Sequence, residues 1–292
     1  MIQTFQKTFL APEKHKEGFK HFIDYFKLTL SRPGLIFLHE LLENFAVMPY
    51  ENISKIIKYH QSADWEHPRI RLPEEVIADH IDYGLGGTCF SLTYYLQSIL
   101  VQCGFNCYPV MADMRAGKNI HCCLIVILDG KKHLIDPGYL LTQPMELNLS
   151  KPRLYKTEFT GVELRFDKHS QQYQLHTFDK HEAKWRYSFR DEPASPQEFL
   201  QHWLHSFTRN SMNGICLSRI MKNGLLFVNR NFMRETTFTG KKNINIKKNY
   251  HSAINEYFGI DRQVIEQAQA ALAANLRRRK ELGLWVESKD RV

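Results

Sequence analysis

Helical spacing in the first third of the chain, alternating spacing in the middle and a mixture of both at the end predict an α+β fold in three parts. An N-terminal helical bundle spans residues 1–105, an antiparallel β-barrel spans 106–194, and a mixed α/β unit spans 195–292. The switch of period falls after Cys103-Gly104, and the return to helix falls at Ser195-Pro196, so both boundaries are marked by the residues themselves.

In the bundle, Phe19, Phe22, Ile23 and Phe26 recur on one helical face. Ser31-Arg32-Pro33 opens a second segment that carries Leu35, Leu38, Leu41, Leu42 and Phe45, and Met48-Pro49-Tyr50-Glu51-Asn52 interrupts it. A third segment follows Pro73, with Val76, Ile77 and Ile81. Gly84-Leu85-Gly86-Gly87-Thr88 then turns the chain into a last helix through Phe90, Leu92, Tyr95, Leu96, Ile99 and Leu100, with Thr88 as the expected N-cap.

In the barrel, residues 107–114 and 120–128 alternate as strands do. Asp129-Gly130 is a two-residue hairpin signal, and Lys131 to Asp136 is the returning strand. Further strands are expected near 163–166, 172–178 and 185–189. In the third part, Ser195-Pro196-Gln197-Glu198 has the form of a capping box with proline at the first helical position. Asn223-Gly224 signals a hairpin joining 215–221 to 225–228, and Asp261 caps a long helix that ends at Gly283.

Composition narrows the function classes. The 292 residues are 43% hydrophobic and 24% charged, as in ordinary globular proteins, and the formal charge of +8 favours anionic partners such as a phosphorylated cofactor. No apolar run reaches membrane-spanning length, and residues 1–7 lack the pattern of a secretion signal, so the expectation is a cytoplasmic protein with no membrane partner. The six cysteines form no CxxC pair and suit neither a disulfide framework nor a zinc knuckle. His202 and His205 lie three apart on one helix without a third ligand, so surface histidines are expected there and no metal. Lys241-Lys242, Lys247-Lys248 and 277–280 are basic but lack an aromatic reading platform, so no nucleic-acid partner is expected. A homo-oligomer stays open.

Cys89 is the candidate nucleophile. It follows two glycines and sits in the first turn of a helix, where unpaired N–H groups and the positive dipole end favour a thiolate. Its bland alternative is a buried, inert thiol. The hairpin supplies what such a thiol would need. With the turn at 129–130, Leu128 faces Lys131, Ile127 faces Lys132 and, continued, Cys123 faces Asp136. His121 shares the face of Cys123, so His121 and Asp136 are diagonal neighbours roughly 7–8 Å apart along the backbone. Taken singly, His121 reads as a strand histidine and Asp136 as the start of a turn. Together with Cys89 they read as a base and its supporting carboxylate.

These residues resemble the motifs of the arylamine N-acetyltransferase family. Leu85-Gly86-Gly87-Thr88-Cys89 matches its arginine-glycine-glycine-x-cysteine, His121-Cys122-Cys123-Leu124 its histidine-x-x-leucine, and Asp136-Pro137-Gly138-Tyr139, more loosely, its aspartate-valine-glycine-phenylalanine. Met48 to Ile53 and Tyr257 to Ile260 resemble two further family segments in the same order. The resemblance implies a papain-like cysteine-protease-type core with the α/β unit as a lid. It also implies acetyl-coenzyme A as donor, a small-molecule amine acceptor and a ping-pong reaction through an acyl-cysteine. By motif position, Cys89 is nucleophile, His121 base and acid, Asp136 the orienting carboxylate, and Tyr139, Gly86 and Gly87 border the substrate pocket. One departure stands out: the arginine before the glycines is Leu85, which would leave Glu51 without the partner the family gives it. An amide synthase taking a carrier-bound acyl chain, a transglutaminase-like or other thiol hydrolase, and a binding protein on a retired scaffold are the alternatives.

Overall fold

The computed structural model describes residues 10–62, 70–157 and 159–283. Four helices come first in the chain, α1 (Lys16–Phe26), α2 (Leu35–Phe45), α3 (Ile53–Gln61) and α4 (Pro73–Tyr83), and α3 packs on the last helix among the described residues rather than on the other three. The strand β1 (Tyr50–Glu51) lies between α2 and α3. Helix α2 starts later than Ser31-Arg32-Pro33 suggests, because extended Gly34 takes the N-cap position. The segment around Pro49 is more than an interruption: it forms β1, and α3 follows it at once.

Helix α5 (Cys89–Gln102) is the centre of the molecule. Every residue from Cys89 to Leu96 is buried, so it is apolar nearly all round rather than on one face. The bundle covers one side of it, and the opposite side meets strands β2 (Asn106–Met114) and β3 (Gly117–Leu128). Thr93 Oγ1 donates to Cys122 O at 3.3 Å and ties the helix to β3.

Beyond β3 come β4 (Lys131–Ile135), β5 (Met145–Glu146), β6 (Arg153–Lys156), β7 (Gly161–Asp167), β8 (Gln172–Phe178) and β9 (Ala183–Phe189). They form one antiparallel sheet in the order β5-β4-β3-β2-β9-β8-β7-β6. Its two edges meet, with Glu146 N donating to Tyr155 Oη at 3.1 Å, so the sheet curls nearly shut. The two short edge strands are too brief for period-two alternation to reveal them, and the sequence reading passes over both.

After the barrel come α6 (Pro196–His205), β10 (Cys216–Met221), β11 (Gly224–Asn229), β12 (Phe232–Thr236), β13 (Lys241–Asn245), α7 (Tyr250–Phe258) and α8 (Arg262–Glu281). Ser195 caps α6 by accepting Glu198 N at 3.1 Å. Asp261 holds the N-cap position of α8 without a side-chain cap bond. The β10–β11 hairpin departs from expectation. Met221 pairs with Gly224, so the turn is Lys222-Asn223 and Gly224 belongs to the strand. A Cβ there would overlap Thr236 O on β12, so the glycine serves close strand approach rather than the turn. Strand β1 joins the edge of this second sheet beside β10, and Asn275 of α8 donates to Ile56 O of α3 at 3.1 Å.

Candidate active site

The turn before Cys89 is built by contacts that only glycine permits. A Cβ on Gly86 would overlap Pro49 O, and one on Gly87 would overlap Ser91 Oγ. Glu51 N donates to Gly87 O at 2.9 Å and Gly87 N to Pro49 O at 3.3 Å, which holds the turn against β1. Thr88 is extended and occupies the N-cap position, but its side chain makes no cap bond. Its carbonyl accepts the first helical N–H, from Leu92, at 3.0 Å. The N–H groups of Cys89, Phe90 and Ser91 therefore precede the helical ladder, and Cys89 stands at the positive end of α5.

The hairpin has the register the sequence predicts from Leu128–Lys131 to Leu124–Ile135. Its ladder stops one pair short of Cys123–Asp136. Pro137, which has no N–H, opens a short 3-10 turn over Pro137–Tyr139, and Asp136 leaves the strand as its cap. Asp136 Oδ2 sits 2.8 Å from His121 Nε2, while Oδ1 accepts Tyr139 N at 3.1 Å. Asp136 is fully buried, His121 nearly so, and Cys89 is 8% exposed.

The His121 ring and the Cys122 thiol both act on the Cys89 thiol and lower its pKa. With Nε2 engaged by Asp136, Nδ1 is the ring nitrogen left for the sulfur. Gly138 marks where the three residues converge: a Cβ on it would stand 2.9 Å from Cys89 Cβ, 2.9 Å from His121 Cε1 and 3.2 Å from Asp136 Oδ1.

The electrostatics favour a charged pair. Hydrogen bonding from Cys122, with the bond and charge of His121 and the charge of Lys55, outweighs burial and holds the Cys89 thiol well below its usual range. Burial opposes a charge on His121, but the Asp136 carboxylate and the Cys89 sulfur overcome it and raise the imidazole to about 10. Both shifts act in the direction of a thiolate–imidazolium pair. Such a sulfur can attack a carbonyl carbon, and such an imidazolium can protonate a leaving group.

Of the expected pocket residues, Gly86 and Gly87 form the turn, and half-buried Tyr139 sets its ring edge-on to His121 at 5.3 Å between centroids. Sequence reasoning missed Tyr187, a fully buried β9 ring 4.9 Å from that of His121. Nothing in the β9 stretch distinguishes it from a core tyrosine.

It also missed two buried cations. Lys55 of α3 is 5% exposed, donates to Ser206 O at 3.1 Å and Oγ at 2.6 Å, and lies 4.5 Å over the Phe207 ring. Burial lowers its pKa to about 7, partly offset by the Cys89 charge. Arg71 is 3% exposed and answers the Leu85 departure. Leu85 is buried in an apolar cluster with Ile53, Ile56 and Ile70. Glu51 nevertheless has an arginine beside it, since Arg71 Nη1 stands 3.7 Å from Glu51 Oε1. His202 and His205 lie 6.4 Å apart between ring centroids, and among the described residues no group of three His, Cys, Asp or Glu side chains is arranged to hold a metal.

Comparison with known proteins bears on the family and the fold. A family model described as N-acetyltransferase matches residues 35–267. Among solved structures, arylamine N-acetyltransferase C from Bacillus anthracis superposes with a TM-score of 0.67 at 20% identity, over 83% of this chain and 98% of that one. The enzyme from Mycobacterium abscessus gives 0.73 at 16% identity, over 87% and 94%. The Mycobacterium marinum enzyme in complex with CoA gives 0.71 at 15%, over 87% and 98%. A search of curated protein sequences finds no match.

Proposed function

The chain belongs to the N-acetyltransferase family and has the fold of the arylamine N-acetyltransferases, and on that footing we propose that it moves an acetyl or related acyl group from coenzyme A to an amine-type acceptor through an acyl-Cys89 intermediate. The observation that carries the reading is the 2.8 Å His121–Asp136 bond beside a thiol held low at a helix N-terminus.

In the first half-reaction the Cys89 thiolate attacks the thioester carbonyl carbon. The new carbon–sulfur bond gives a tetrahedral oxyanion, which collapses with loss of the bond to coenzyme A as His121 passes its proton to the departing thiolate. In the second half the acceptor nitrogen attacks the acyl-cysteine, neutral His121 takes a proton from that nitrogen, and Cys89 leaves as thiolate. Asp136 keeps the imidazole in orientation and stabilises its cation. The first-turn N–H groups of α5 are suited to stabilising the oxyanion of each tetrahedral intermediate. Gly138 lets the chain pack directly on Cys89 and His121, where a Cβ would stand 2.9 Å from an atom of each, and in this reading Tyr139, Gly86 and Gly87 border the pocket. The net charge of +8 favours the phosphates of the donor. In this reading residues 1–105 carry the nucleophile, 106–194 carry His121 and Asp136, and 195–292 act as the lid. The six cysteines, free in the structure, suit a reducing, cytoplasmic compartment.

Incubation with acetyl-coenzyme A alone is expected to add one acetyl mass to wild-type protein and none to Cys89→Ala, which keeps its fold by circular dichroism. Acylation by a carrier-bound thioester but not by coenzyme A thioesters would favour an amide synthase. Hydrolysis of a glutamine amide with no acyl adduct from any thioester would sink the acyltransferase reading.

A further inference from the structure

Arg71 is buried away from the reacting atoms yet converges on the turn that delivers them. Its Nη1 donates to Gly86 O at 2.6 Å and to Ser54 Oγ at 2.6 Å, and its Nη2 pairs with Asp79 Oδ2 at 2.6 Å. On the other side of residue 86, Gly86 N donates to Glu51 Oε1 at 3.3 Å. Glu51 is fully buried and also accepts Ser54 N at 2.9 Å. The polar backbone groups of Gly86 are thus gripped at both ends, the N–H by a carboxylate and the carbonyl by the guanidinium 3.7 Å from it. A Cβ on Gly87 would come within 3.4 Å of the same Nη1. Two residues later the chain enters α5 at Cys89.

We propose that Arg71 is the positioning residue of the nucleophile: with Glu51 it clamps the Gly86-Gly87 turn and so sets the direction in which Cys89 presents its sulfur to His121. The residue preceding the glycines cannot do this here, because Leu85 is committed to the apolar cluster around Ile53 and Ile56. The charge arrives instead from the segment just before α4, across the sequence gap between residues 71 and 86. A planar guanidinium is required, since one side chain must reach Gly86 O, Ser54 Oγ and Asp79 at once, which the single ammonium of lysine cannot. Removing it would also leave Glu51 as an uncompensated buried charge under the turn.

The test is the pH dependence of Cys89 alkylation by iodoacetamide, scored by peptide mass, in wild type, Arg71→Lys and Arg71→Met. Each is read well below its own melting temperature. This readout needs no acyl donor, so it stands whether or not coenzyme A proves to be the substrate. Wild type is expected to react at a rate nearly independent of pH across neutrality. Arg71→Lys is expected to lose at least about tenfold of its rate at pH 6.5 and to regain it at pH 9, where a displaced sulfur ionises unaided. Arg71→Met should show the same profile more strongly; where it fails to fold, Arg71→Lys carries the decision. Variants that melt earlier but keep the wild-type alkylation profile would overturn the proposal and reduce Arg71 to a stabilising contact.

Discussion

Lys55 shows how a single buried charge tunes this site. Its pKa is near 7, so it is charged below neutrality and largely neutral above it. While charged, it favours the Cys89 thiolate. Lys55→Met is therefore expected to slow Cys89 alkylation several-fold at pH 6 and to change it little at pH 8.5. An equal loss at both values would mean that Lys55 acts through packing on Phe207 rather than through charge. The sign for stability is opposite. A lysine with a lowered folded pKa binds its proton less tightly than the unfolded chain, so its burial penalty is full below pH 7 and shrinks as pH rises toward 10.5. Neither effect is legible in the sequence, where Lys55 looks like a solvent-facing residue beside Ile56 and Ile57.

At the scale of elements, two hairpins make different use of glycine. In the β3–β4 turn, Asp129 and Gly130 both take positive φ, 50° and 71°, and the dipeptide signal, the turn and the register agree. In the β10–β11 hairpin, Gly224 has no positive φ and instead lets β12 approach. Gly224→Ala is expected to destabilise the protein by about 1–3 kcal/mol through overpacking, read as a lower urea midpoint, while acyl transfer per folded molecule is retained. A variant of unchanged stability would mean that the close approach to Thr236 relaxes freely. The comparison explains why one Asx-Gly signal located its turn and the other missed by one residue. The dipeptide records a need for glycine but not which need.

For the whole molecule, the C-terminal region packs directly on α5. The fully buried Trp203 of α6 stacks on Phe90, the residue after Cys89, at 6.4 Å and 16° between rings. It also packs against Tyr94 at 5.7 Å and Phe199 at 5.8 Å between centroids. Strand β1 and helix α3, from the first third of the sequence, join the second sheet and α8. Trp203→Ala should therefore cost about 3–5 kcal/mol in global unfolding. A region behaving as a separate flap would instead show two transitions, with the one reported by α5 unmoved.

Elements whose signals are local are legible in the residues alone. Residue periods separate bundle from barrel, and a two-residue turn sets the β3–β4 register from Leu128–Lys131 to Leu124–Ile135, one pair short of Asp136. Whatever depends on residues distant in the chain meeting is settled by packing. Asp136 reaches His121 where the chain leaves the ladder at Pro137, Arg71 reaches the Gly86-Gly87 turn from just before α4, and Lys55 and Tyr187 become neighbours of the site through packing across separate layers. Period and turn chemistry act over a few residues, so they are written in any short window. The partner of a buried charge is set by which layers stack, and no window of sequence contains that.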